Sequence, residues 1–87
     1  MHEETLLEFP CQFPIKVMGS NSDSFESEIV MIARQFIPQL GEAAVQSKAS
    51  KTGKYLSVTV TFTAESKSQI DSLYRAMNAH PEVKMVL

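Results

Sequence analysis

Two histidines, His2 and His80, one cysteine, Cys11, and ten carboxylates are the groups in this 87-residue chain that could support acid–base, nucleophilic or metal chemistry. Their placement argues against all three. A lone cysteine forms no intrachain disulfide and no cysteine-based zinc cluster. Cys11 also falls on the apolar side of an alternating segment, where a thiol behaves as a small hydrophobe. His2 belongs to the start of the chain and His80 to a predicted helix end, so a shared metal site is not expected. No Gly-x-x-x-x-Gly-Lys-Ser/Thr run or glycine-rich dinucleotide loop is present. The sequence is read as that of a non-enzyme with no cofactor.

The remaining candidates bind rather than react. Residues 1–42 hold seven acids and two bases, whereas residues 43–87 hold three acids and six bases. Lys16 and Lys84, with Ser57 and Tyr55 near them on predicted strands, offer ammonium, hydroxyl and phenol groups to a small anion or an acidic protein surface. A second candidate is the run Gly19-Ser20-Asn21-Ser22. It precedes a helix, and backbone N–H groups at a helix start can receive a carboxylate or phosphate. The net charge of −2 argues against general nucleic-acid binding. No apolar run reaches the roughly 20 residues of a membrane span, and the acidic start is unlike a signal peptide. A cytoplasmic protein with no membrane or nucleic-acid partner is expected.

These groups need elements to position them. Leu6, Leu7 and Phe9 are expected to form a short turn against the core. Cys11, Phe13, Ile15 and Val17 alternate with Gln12, Pro14 and Lys16, which predicts a half-buried strand ending at Gly19. Asp23 and Glu26 suggest a helix start, and Phe25, Ile29, Ile32 and Phe36 form one apolar stripe. Pro38 stops that helix. A weaker strand is predicted over 42–49, followed by the turn Ser50-Lys51-Thr52-Gly53. Leu56, Val58, Val60, Phe62 and Ala64 then alternate with Tyr55, Ser57, Thr59, Thr61 and Thr63. Ser66 and Gln69 form a capping box before a second helix buried through Ile70, Leu73 and Met77. Val83, Met85 and Leu87 are expected on one side of a closing strand, with Glu82, Lys84 and Val86 on the other.

The order β-α-β-β-α-β, with both helices amphipathic on one stripe, predicts a single α+β domain over 1–87. Its expected architecture is a ferredoxin-like sandwich: a four-stranded antiparallel sheet of order 4-1-3-2 with two helices on one face. The other face is left open to solvent, with Lys16 and Lys84 side by side on it. The strand over 42–49 is an edge that could pair with a second copy.

Several pieces together resemble the bacterial YbeD-like proteins: Leu7-Glu8-Phe9-Pro10, Phe13-Pro14, Lys16-Val17-Met18-Gly19, the hairpin Ser50 to Val58, and Lys84-Met85-Val86-Leu87. Members are small cytoplasmic proteins without an established activity, and their fold resembles the ACT-type regulatory domains that bind amino acids and pair into dimers. The resemblance implies a regulatory, small-molecule-sensing role, with an amino-acid-like or anionic ligand and an ACT-type ligand loop at Gly19, Ser20, Asn21 and Ser22. The alternative is a protein-interaction or adaptor module, using the open sheet face or the edge strand to hold a partner or a second copy.

Overall fold

The computed structural model describes residues 8–87; the expected turn at Leu6 and Leu7, like His2, lies outside them. In chain order the elements are β1 (Cys11–Ser20), α1 (Phe25–Phe36), a short 3-10 turn (Glu42–Ala44), β2 (Val45–Ala49), β3 (Tyr55–Ala64), α2 (Lys67–Asn78) and β4 (Val83–Val86). The strands form one sheet of order β2-β3-β1-β4, with every neighbouring pair antiparallel. This is the βαββαβ architecture that the hydrophobic pattern predicts.

The core lies between the helices and one face of the sheet. Ile15 and Val17 of β1 and Val58, Val60, Phe62 and Ala64 of β3 supply the sheet side. Phe25, Ile29 and Ala33 of α1 and Ile70, Leu73 and Met77 of α2 cover them. Fully burying each large apolar side chain contributes about 1.5–3 kcal/mol. The pairs Ile15↔Val60 and Val17↔Val58 lock the β1–β3 register, since a one-residue slip would turn this set to water. At α2 the capping box forms as a relay. Ser66 Oγ accepts the Gln69 N–H at 3.1 Å, and Gln69 Oε1 accepts the N–H of Glu65 at 2.7 Å.

Three local expectations are corrected. β1 does not stop at Gly19 but runs through Ser20, which pairs with Tyr55. A Cβ at Gly19 would lie 2.5 Å from both the Glu82 carbonyl oxygen and the Phe25 ring, so this glycine permits close packing within the strand rather than ending it. Ser24, not Asp23, is the N-cap of α1. The segment after Gly41 begins as a 3-10 turn, and β2 proper starts at Val45.

β4 departs most. Its register sets Val86 opposite Val17 and Met85 opposite Met18, but Val83 opposite Gly19, so the ladder is irregular between Met18 and Gly19. Lys84 is the extra residue, as in a bulge. Past it the strand has changed phase: Val83 and Val86 pack against the core, while Met85 is 47% and Leu87 61% exposed. Among the described residues no helix is long and apolar enough to cross a membrane.

Candidate functional site

The open face of the sheet is laid out in rows by the strand register. Lys16 stands across from Thr59 on β3, and Thr59 across from Gln46 on β2. On its other side Lys16 exchanges both backbone hydrogen bonds with Leu87, at 3.1 and 2.8 Å. The next row runs from Met85 through Met18 and Ser57 to Lys48. Lys16, Gln46, Lys48, Ser57 and Thr59 together line a groove of about 360 Å³. No hydrogen bond among the described residues uses the hydroxyl of Ser57 or Thr59. Two ammonium groups flanking two uncommitted hydroxyls form a donor-rich surface suited to a small anion.

Of the residues singled out from sequence, Lys16 and Ser57 therefore come together, joined by Lys48 and Thr59. Lys84 does not join them: the register sets Leu87 beside Lys16, and Lys84 is the unpaired residue at the bulge, past Met85. Tyr55 lies on the same strand beyond Ser57, opposite Ser20, and outside the groove.

The segment at Gly19, Ser20, Asn21 and Ser22 has a different character. Gly19 and Ser20 belong to β1. Asn21 spans to the β2–β3 turn: its backbone N–H donates to Lys54 O at 3.1 Å and its Nδ2 to Gly53 O at 2.9 Å. Gly53 takes a positive φ of 76° there, the left-handed conformation that the turn needs and glycine allows. Ser22 Oγ donates to Glu82 Oε1 at 3.2 Å. The first turn of α1 already carries Glu26 and Glu28. With Asp23 and Glu82 nearby, the positive end of the helix faces carboxylates of the chain itself. An added anion there would meet like charge. The side chains of Asn21 and Ser22 thus tie elements together.

His80 closes this end of the molecule, and sequence reasoning missed its partners. Its side chain is 10% exposed, with Nε2 2.6 Å from Glu28 Oε1. Nδ1 accepts the Glu82 N–H at 3.0 Å, so the other ring nitrogen carries the proton that Glu28 receives. The imidazole also meets the Phe25 ring edge-on at 5.7 Å. The hydrogen bond from His80, followed by one from Ser24, holds the Glu28 carboxyl below its ordinary value of 4.5. Fifty-two positions separate the two residues, so no local spacing announces the pair. Among the described residues no cluster of three or more His, Cys, Asp or Glu is placed to hold a metal ion.

A third feature is the flank of the sheet. Because Ser50 donates to Tyr55 O, ladder alternation turns the backbone N–H and C=O groups of Ser47 and Ala49 away from β3. Beside this edge a groove of about 580 Å³ separates β2 from the outer side of α1, with Glu26, Met31, Arg34 and Glu42 among its lining residues.

Residues 4–87 match the family model described as Protein of unknown function (DUF493). The chain belongs to that family. It is 41% identical over its whole length to the UPF0250 protein NE1487 of Nitrosomonas europaea, covering 100% of both chains. With the UPF0250 protein of Leptothrix cholodnii it shares 47% identity over 98% of this chain and 93% of that one. The resemblance to the YbeD-like proteins thus holds from end to end. Among solved structures, protein HP0495 from H. pylori superposes with a TM-score of 0.72 at 16% identity, over 100% of this chain and 94% of that one. The ACT domain of the GTP pyrophosphokinase of Chlorobium tepidum superposes at 0.68 and 12% identity, over 87% and 84%. The fold is ACT-like.

Proposed function

We propose that this DUF493 domain is a cytoplasmic, non-enzymatic regulatory module that senses a small anionic ligand on its open sheet face, with Lys16 and Lys48 as the charged contacts and Ser57 and Thr59 as hydrogen-bond donors. The observation that carries the reading is the pairing of two lysines with two unengaged hydroxyls in one groove that no carboxylate lines. Such a surface holds an anion but supplies no nucleophile with an adjacent base. The ACT-like fold supports a sensing role by analogy of architecture alone.

The test is an amide-NMR titration of the full chain with inorganic phosphate and with acetate. Shifts centred on Ser57, Thr59 and Lys16, lost in the Lys16→Gln/Lys48→Gln double variant, are expected. Shifts centred instead on Asn21–Phe25, or none, would overturn the assignment.

A second reading attaches to the free edge of β2. Backbone groups at Ser47 and Ala49 that have no partner among the described residues suit addition of a strand from a partner or a second copy. Light scattering across a range of concentrations checks the second copy: a constant monomer mass removes it.

A further inference from the structure

The phase change in β4 reaches the same face. A strand with one wet side ordinarily carries polar residues there, yet the solvent side of β4 presents Met85, followed just past the strand by Leu87, both large and exposed. Met18 on β1 adjoins Met85. The rows that end in Gln46 and Lys48 on β2 therefore begin in Leu87 and Met85 on β4. Three strand spacings of about 4.8 Å put these ends about 14 Å apart. The row through Met18 is polarised across the strands, with Met85 and Met18 at one end and Ser57 and Lys48 at the other, while in the row beside it Lys16 stands between Leu87 and Thr59.

We infer that the open face is one amphipathic site whose ligand is a small aliphatic monocarboxylate. This deepens the anion-sensing reading above and rests on it. The carboxylate lies over Ser57 and Thr59, between Lys16 and Lys48. The tail crosses Met18 toward Met85 and Leu87, covering apolar surface that is otherwise wet. Methionine suits this task because its flexible, polarisable side chain moulds to tails of different length. The same geometry discriminates against a free amino acid. Its α-ammonium would enter a groove with two lysines and no carboxylate, so a plain acid is preferred to its amino analogue.

The experiment is an NMR titration of the full chain, carrying labelled methionine methyls, with acetate, butyrate, hexanoate, norleucine and hexanol. Affinity is expected to rise about twofold per added methylene, as befits a tail half covered by the face. Hexanoate moves the Met18 and Met85 methyls. Norleucine binds more weakly than hexanoate, and hexanol, which lacks the charge, leaves the groove amides unmoved. Met85→Ser, at an exposed position, flattens the chain-length dependence and keeps the acetate response at Ser57 and Thr59.

Equal affinities for acetate and hexanoate with silent methionine methyls would overturn the amphipathic site while leaving the anion groove standing. Hexanol binding as well as hexanoate would overturn the placement of the head group. No response to any probe would overturn both the site and the reading beneath it.

Discussion

The β1–α1 segment and the open sheet face contain similar residue types, serines and an amide among them, but use them in opposite ways. In the segment, Asn21 and Ser22 spend their hydrogen bonds on Gly53 and on Glu82. On the face, Ser57 and Thr59 stand beside lysines in a groove with their hydroxyls uncommitted. A polar side chain already satisfied by the protein has little left for a ligand, and removing it costs stability. An unsatisfied one on a solvated surface costs almost nothing to remove, because water was its partner. Internal satisfaction thus separates a structural polar residue from an available one.

That contrast can be broken from either side. The largest effect is expected at Gly19→Ala, where the new methyl meets a backbone carbonyl and the Phe25 ring at 2.5 Å. Overpacking of this kind costs roughly 1–3 kcal/mol, readable as a lower urea midpoint. Asn21→Ala removes the side-chain bond to Gly53 O and should cost about 0.5–1.5 kcal/mol. Unchanged unfolding together with lost ligand binding would show the segment to be the site after all.

The acidic end gives a pH signature. The Glu28 carboxyl is held below 4.5 in the folded chain, first by His80 and then by Ser24. A depressed carboxyl stabilises the fold above its unfolded value and loses that contribution as pH falls through the folded one. Thermal melts below pH 4.5 should therefore decline more steeply for the native chain than for Glu28→Gln, and parallel curves would deny the pairing. Smallest of all, Lys16→Gln and Lys48→Gln should shift stability by no more than about 0.5 kcal/mol while abolishing the anion response. A large loss of stability in either would move these lysines to the structural side of the comparison.

Much of the architecture was legible because burial imposes its period on the chain. The alternation from Leu56 to Ala64, the stripe Phe25-Ile29-Ile32-Phe36 and the Ser66–Gln69 cap each contain their own evidence within a few residues. β4 did not. With apolar residues at 83, 85, 86 and 87, both phases of alternation fit, and the bulge that chooses between them arises opposite Met18 and Gly19 on another strand. The site was half legible for the same reason. Alternation alone put Lys16 and Ser57 on the open face, but the neighbour of Lys16 depended on the phase of β4. The ties of Asn21 and Ser22 reach across 32 and 60 positions, and no local pattern encodes them.

The opposed placement of charge has a kinetic consequence. Four carboxylates gather where α1 begins, whereas Lys16 and Lys48 stand on the open face of the sheet, within a chain of net charge −2. An approaching anion is repelled from the start of α1 and drawn toward the open sheet face. Its capture rate should fall as added salt shortens the reach of that field, to about 10 Å at 0.1 M.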